Sequence, residues 1–120
     1  MGYRIDYAVI GRTMRARVSG RSSLGQAARI AADIAGEASR AKLARLLLDV
    51  RGFSDRLGTL APLVEGSCAP FAAGRIAVVD TPENERFYAF PESAARSLGC
   101  ELRCFFDSNS ALRWLDASPS

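Results

Sequence analysis

The stretch LARLLLDV, residues 43–50, decides the fold class of this chain. Leu46, Leu47 and Leu48 are apolar on consecutive positions, which is typical of a strand that is buried on both faces. Such strands lie in the middle of parallel sheets, and helices connect them to their neighbours. The sequence therefore predicts an α/β fold with a central parallel strand.

A hairpin precedes this strand. From Tyr3 to Ile10, apolar residues alternate with polar or small ones, and the alternation resumes from Thr13 to Ser19. A period of two indicates strands with one buried face. Because Gly11 and Arg12 supply a two-residue turn, the two strands are predicted to pair antiparallel.

Two further strands follow, over Arg75–Asp80 and Glu101–Phe106. Ser23 with Gln26 forms a capping-box pattern, so a first helix is expected to begin there. A second helix is predicted from Thr59 to about Cys68. Thr81 is a predicted N-cap before Pro82, and it is followed by a short turn from Glu83 to Ala89 and a helix over Pro91–Leu98. Asp107 or Ser108 caps the last predicted helix. A kink at Pro91 is the alternative to the short turn. The prediction is one α/β domain over residues 1–120, with an N-terminal antiparallel hairpin, three parallel strands in helix–strand units, a mixed five-stranded sheet and four helices.

The order of the elements predicts how the two faces of the sheet are covered. Successive right-handed crossovers that move one way across a sheet put the connecting helices on the same face. We therefore expect the opposite face to be poorly covered. Arg4, Arg15, Arg17 and Arg103 would make that face either a basic surface for a partner or an ordinary solvated one.

Composition excludes several classes of protein. The chain has 120 residues, a net charge of +3 and no histidine, which removes the usual proton shuttle at neutral pH and most zinc sites. Basic residues are scattered singly, so nucleic-acid binding is not expected. The apolar runs fall far short of the ~20 residues that span a bilayer. The three cysteines form no disulfide framework and no leader opens the chain, so a cytoplasmic protein is expected.

Three aspartates follow the predicted parallel strands. Asp49, Asp80 and Asp107 would meet at one edge of the sheet, where they would either bind a divalent ion or serve as turn and cap residues; the second interpretation is favoured. Cys100 and Cys104 are expected to be small buried hydrophobic residues. No metal and no cofactor is predicted.

The segment after the central strand is the predicted binding site. Arg51 and Arg56, near Ser54, Asp55 and Thr59, lie beside a predicted helix N-terminus, where an anion or an acidic partner side chain is favoured. Alternatively, Asp49 and Asp55 pair with the two arginines, and Ser54 or Thr59 caps the helix.

The order of elements, with Leu46–Val50, Phe105–Asp107 and Ala111–Leu115, resembles the SpoIIAA-like or STAS proteins, named for sulfate transporters and anti-sigma-factor antagonists. The resemblance implies a regulatory, non-enzymatic module that binds a protein partner. In the antagonist branch, a loop of the type Asp-Ser-Ser-Gly-Leu carries a phosphorylated serine. Asp55 and Gly58 fit that loop here, whereas Arg56 and Leu57 stand where serines are found, so the phosphoserine switch is expected to be absent.

Two function hypotheses follow from these residues and this resemblance. The first is an interaction module that docks a protein partner, or a second copy as a homodimer, through residues 51–60. The second is a carrier of a small apolar ligand or an anion, with an apolar cleft lined by Phe53, Phe87 and Phe90. An enzyme ranks third, because no carboxylate pair or thiol has a convincing spacing.

Overall fold

Five strands form one mixed sheet whose spatial order follows the chain, β1-β2-β3-β4-β5. The structure, a computed structural model, describes residues 2–21, 26–53 and 74–117. The strands are β1 (Tyr3–Ile10), β2 (Thr13–Gly20), β3 (Arg45–Phe53), β4 (Arg75–Val79) and β5 (Glu101–Phe105). β1 pairs with β2 antiparallel, and all other pairs are parallel. The predicted fold class is therefore confirmed.

Glycines shape both ends of the β1–β2 hairpin. Gly11 begins the two-residue turn with φ at 61°, which a residue without a Cβ atom adopts at little cost. Gly20 ends β2 with φ at 94°, and a Cβ atom there would lie 2.6 Å from the carbonyl oxygen of Gly2. The hairpin is present as predicted, with β2 one residue longer.

β3 is longer than its sequence pattern indicated. The apolar pattern of this strand ends at Val50, but residues 51–53 continue the strand to Phe53. The reason is a register shift between β2 and β3. Arg17 pairs with Asp49 and Ser19 pairs with Gly52, so β3 has one extra residue at this point, and Gly52 and Phe53 still pair with Ser19 and Gly20. Arg51 is consequently a strand residue and does not belong to a loop.

Helices lie on both faces of the sheet. They are α1 (Gln26–Ala41), a 3₁₀ helix (Pro82–Phe87), α2 (Ala89–Ser97) and α3 (Ser108–Asp116). Pro91 lies in the first turn of α2, where its missing N–H is tolerated, so the short turn followed by a helix is the correct alternative. Ser23 and the helix predicted from Thr59 lie outside the described residues. None of the helices in the described residues has the length and hydrophobicity of a membrane-spanning segment.

The expectation of a poorly covered face is wrong over β3, β4 and β5. One core layer packs on the face that contacts α1 and includes Met14, Ile34, Leu46, Leu48 and Ile76. The other face has its own smaller layer, in which Ala111 and Leu115 of α3 cover Leu47, Ala77 and Val79. α3 follows the last strand, so it makes no crossover to a further strand and is not confined to the first face. Arg4, Arg15 and Arg17 lie on the part of this face formed by β1 and β2, where the side chain of Arg17 is 47% exposed.

Arg75 of β4 binds the C-terminal end of α3 on this second face. Its Nη1 atom donates to the carbonyl oxygens of Trp114 and Ala117, at 2.8 Å each, and the guanidinium lies 5.3 Å from the centre of the Trp114 ring. The side chain is only 13% exposed. A cation at a helix C-terminus satisfies carbonyl groups that have no partner within the helix.

We expect Arg75→Ala to lower the free energy of unfolding by about 2 kcal/mol, because hydrogen bonds from a charged donor and a cation–π contact are lost together. Urea denaturation followed by circular dichroism measures the change. Arg113→Ala is the matched control, because Arg113 lies on the exposed side of the same helix and donates to Ser110 Oγ at 3.3 Å. Equal stability of the two variants would contradict the proposed role of Arg75.

Candidate functional site

The carboxyl ends of the three parallel strands β3, β4 and β5 lie along one edge of the sheet. Asp49 is in register with Val79, which is in register with Phe105. Asp80 directly follows β4, and Asp107 lies two residues past the end of β5. The predicted meeting of the three aspartates at a common edge is therefore present. We call the segments Asp49–Arg51, Asp80 and Phe106–Asp107, with Arg17 of β2 opposite Asp49, the carboxyl edge.

Asp49 is a buried carboxylate held by two arginines. Arg51 binds it with two side-chain bonds, from Nε to Oδ1 at 3.1 Å and from Nη2 to Oδ2 at 2.9 Å, and its backbone N–H also donates to Oδ1 at 3.1 Å. Nε of Arg17, on β2, lies 3.6 Å from Oδ2. Burial by itself raises the pKa of Asp49, but the hydrogen bonds and charge of Arg51, with the charge of Arg17, outweigh it and lower the pKa. The ionised carboxylate organises both arginines.

Asp80 is fully buried and faces the opposite layer of the fold. Tyr88 donates its hydroxyl to Oδ2 at 2.7 Å, and the backbone N–H of Thr81 donates to Oδ1 at 2.7 Å. The side-chain amide of Asn84 adds a bond of 3.2 Å. Asp80 therefore orders the start of the 3₁₀ helix. The sequence predicts that the Thr81 hydroxyl caps this helix, but it makes no capping hydrogen bond. It donates to Asp80 Oδ1 instead, at 3.4 Å.

Asp107 is the N-cap of α3. Its carboxylate accepts a hydrogen bond of 2.7 Å from the backbone N–H of Ser110 and one of 3.0 Å from the Ser110 hydroxyl. These two bonds lower the pKa of Asp107, because both favour the ionised form. Capping by Asp107 was one of the two sequence-based alternatives, and it is the one observed.

The three aspartates do not converge on a cation. Each accepts hydrogen bonds from the chain itself, and among the described residues no three metal-ligating side chains are grouped closely enough to hold an ion. The pairing of Asp49 with Arg51 was expected as the alternative to anion binding, and the structure shows that pair.

Arginine and aromatic side chains form the exposed part of the carboxyl edge. Arg51 extends beyond Asp49 to within 3.5 Å of the Ser108 hydroxyl, at the start of α3. Phe106, next to that helix, is 40% exposed. The side chains of Arg17 and Arg51 are 47% and 40% exposed, so both are held by Asp49 and still contribute to the protein surface.

The other predicted site residues fall into two groups. Ser54, Asp55, Arg56, Gly58 and Thr59 lie outside the described residues. Of the three phenylalanines, Phe53 is fully buried in the core, whereas Phe87 and Phe90 are 42% and 72% exposed. The guanidinium of Arg86 lies 4.9 Å from the centre of the Phe87 ring. The apolar cleft stays a prediction, because residues 54–73 between these elements are not described.

Burial keeps one cysteine unreactive. Cys100 is buried and Cys104 half-buried, and both pack in the core layer that contacts α1. Burial raises the pKa of Cys104 to about 12, with smaller contributions from Asp80, Glu92 and Glu85. A thiol that remains protonated at neutral pH is a poor nucleophile and a poor metal ligand.

Sequence reasoning missed two residues that shape this edge, Arg17 and Tyr88. Arg17 was assigned only to a charged face, because its position opposite Asp49 depends on the parallel register of β2 and β3. Tyr88 stands between Phe87 and Phe90 in the sequence, and nothing in the local pattern marks it as the partner of a buried carboxylate. Its partner Asp80 lies eight residues away, across the 3₁₀ helix, and no periodic pattern links the two.

Solved structures with the same fold are known. One is an anti-sigma factor antagonist from Mycobacterium paratuberculosis, with a TM-score of 0.65 and 15% identity over 97% of this chain and 96% of that chain. Another is an uncharacterized protein of the DUF3478 family from Shewanella loihica PV-4, described as having a SpoIIAA-like fold, with a TM-score of 0.58 and 15% identity over 95% of this chain and 94% of that one. No protein-family model and no curated protein matches the sequence. The chain therefore has a SpoIIAA-like fold.

We expect Asp49→Asn to lower the free energy of unfolding at pH 7 by about 2 kcal/mol, because charge-assisted hydrogen bonds are lost. The folded-state pKa of Asp49 is lowered, so its contribution is fully present above the unfolded value of about 3.9 and is lost as the pH falls through the folded value. The stability gap between wild type and variant should therefore narrow on acidification, as measured by denaturation at several pH values. Asp116→Asn is the control, because this carboxylate is 69% exposed and lies 3.9 Å from Arg45 Nη1. A gap that stays constant with pH would contradict this account.

We expect Tyr88→Phe to cost about 1–2 kcal/mol of stability, because it leaves the buried Asp80 with one donor fewer. Tyr3→Phe is the matched control, since its hydroxyl makes only an exposed contact of 3.5 Å with Asp33. Chemical denaturation of both variants measures the difference. A Tyr88→Phe protein as stable as the Tyr3→Phe protein would show that the buried bond contributes nothing.

Proposed function

We propose that this chain is a non-enzymatic regulatory module that binds a protein partner at the carboxyl edge. The observation that carries the proposal is the pair of half-exposed arginines held in place by the buried Asp49. An arginine that is already fixed loses less side-chain freedom when it meets an acidic group of a partner. The edge therefore offers a preorganised binding surface.

The chemistry of the edge favours recognition over catalysis. Every carboxylate at this edge is engaged by donors of the chain, and the thiol of Cys104 is protonated at neutral pH. Arginine and aromatic side chains are enriched at the energetic centres of protein interfaces. Arg17, Arg51 and Phe106 suit a partner surface with a carboxylate beside an apolar side chain.

Likeness of fold supports the class of partner that we propose. A structure of the same fold, aligned over nearly the whole chain, is an anti-sigma factor antagonist. By analogy we propose that residues 1–120 act as one domain in the cytoplasm and that the partner is a regulatory protein of the anti-sigma-factor type. The segment that continues from β3, with Ser54, Asp55, Arg56, Gly58 and Thr59, would enlarge the surface, because β3 ends at this edge.

Control by a phosphoserine in that segment is not part of the proposal. Arg56 and Leu57 occupy the positions where the resemblance places serines. An arginine cannot accept a phosphoryl group from a serine kinase and carries the opposite charge to phosphoserine.

The test is a binding experiment with two exposed positions changed together. Arg17→Gln with Phe106→Ser should abolish capture of a co-purifying regulator by the immobilised 120-residue chain, because an anchoring charge and an apolar contact are both removed. Quantitative mass spectrometry of the captured proteins measures the effect. Arg113→Gln, on the exposed face of α3, is the control, and thermal melts confirm that each variant is folded. Unchanged capture by the double variant would contradict docking at this edge.

A second pair of substitutions tests the segment after β3. Arg56→Glu with Leu57→Ser should weaken capture of the same partner without unfolding the domain, because it reverses a charge in the proposed surface. If capture is unchanged while an anion or lipid raises the melting midpoint of the wild type, the carrier hypothesis is favoured over partner binding. A ligand at about 100 times its dissociation constant adds about 2.7 kcal/mol, which a melt detects easily.

A further inference from the structure

The outer edge of β1 has main-chain groups that no described residue pairs with. β1 is at the end of the sheet, and its eight residues pair with β2 without a register shift. Natural sheets protect such edges with proline, charged side chains, bulges or short strands. β1 is eight residues long without proline or bulge, and its two charged residues, Arg4 and Asp6, pair with each other, whereas the opposite edge strand, β5, has only five residues.

The hairpin register shows which groups point outward. In an antiparallel pair, residues that exchange hydrogen bonds with the neighbouring strand alternate with residues that do not. The N–H of Arg21 donates to the carbonyl oxygen of Gly2 at 3.2 Å, so the even-numbered residues of β1 bond to β2. The N–H and C=O groups of Tyr3, Ile5 and Tyr7 therefore point away from the sheet.

We propose that a second copy of this chain pairs with this edge, antiparallel and two-fold symmetric, with Ile5 opposite Ile5 of the partner subunit. In this register Tyr3 lies opposite Tyr7 of the partner subunit, and each of these pairs exchanges two main-chain hydrogen bonds. The product is one continuous sheet through both copies. The proposal is independent of the proposed function, because its test contains no other protein.

Charge selects this register among the alternatives. Arg4 and Asp6 lie on one face of β1 and already pair within the chain, from Arg4 Nε to Asp6 Oδ1 at 3.0 Å. With Ile5 on the two-fold axis, Arg4 of each copy lies opposite Asp6 of the partner subunit. Positive and negative charges then alternate around this group of four side chains. The next symmetric register in one direction puts Arg4 opposite Arg4 of the partner subunit, and in the other it puts Asp6 opposite Asp6 of the partner subunit. Like charges directly opposite each other destabilise a strand pair.

The other face of β1 supports the same occupant. Tyr3, Ile5 and Tyr7 line a cleft of about 390 Å³ between β1 and α1, together with Asp33, Glu37 and Arg40 of the helix. The three strand side chains are half-buried and pack against the core. A partner strand would place a second tyrosine–isoleucine–tyrosine row beside this one. Cross-strand aromatic and aliphatic pairs of this kind stabilise antiparallel sheets.

Complementary charge reversals test the proposal in solution. The wild type should form dimers in sedimentation equilibrium at micromolar concentrations. Arg4→Glu makes all four facing charges negative, and Asp6→Arg makes them all positive, so each variant alone should dimerise about tenfold or more weakly than the wild type. When the two variants are mixed, Glu and Arg face each other across the axis, and a heterodimer should form. The double variant Arg4→Glu with Asp6→Arg should dimerise like the wild type.

Controls separate pairing from folding and from total charge. Arg96→Glu changes the net charge by the same amount as Arg4→Glu, but it lies on α2, which packs beside β5 at the other edge of the sheet, so dimerisation should be unchanged. Circular dichroism establishes that each variant is folded. If Asp6→Arg does not fold, the restored dimerisation of the double variant serves as the readout. A monomeric wild type, or a dimer that is indifferent to Arg4 and Asp6, would overturn the proposal.

Discussion

The parallel register of β2 with β3 is the constraint on which the other features depend. β2 joins the antiparallel hairpin to the parallel part of the sheet, and it does so with a register shift between Arg17 and Ser19. That pairing places Arg17 opposite Asp49 and extends β3 to Phe53. It also leaves β1 at the end of the sheet. The candidate docking surface and the open edge strand thus have a common structural origin.

Buried charge at the carboxyl edge is stabilised locally. Asp49 sits in the strand that is covered on both faces, where an unpaired carboxylate would be costly. The bidentate contact from Arg51, two residues along the same strand, compensates for that burial and leaves part of the guanidinium at the surface. The burial of Asp80 is compensated by neutral donors: the Thr81 N–H, the Asn84 amide and the Tyr88 hydroxyl. One carboxylate therefore organises a charged surface, whereas the other organises the interior.

Much of the architecture followed from the residues. The alternation from Tyr3 to Ile10 predicted β1 with its observed bounds, and the leucines of β3 indicated a strand with two covered faces. For the site, the pairing of Arg51 with Asp49 and the cap at Asp107 were both among the sequence-based alternatives. The coverage of the second face by α3 was not predicted, because a terminal helix is not bound by the crossover rule.

By itself, the sequence determined the elements and their order, because local periodicity, turn residues and caps act over a few positions along the chain. Only the tertiary structure decided which distant residues meet. Arg17 with Asp49, Arg75 with the end of α3, and the outward-facing groups of β1 all depend on strand register. Register is a property of paired strands, and a shift of one residue would exchange the faces on which every side chain lies.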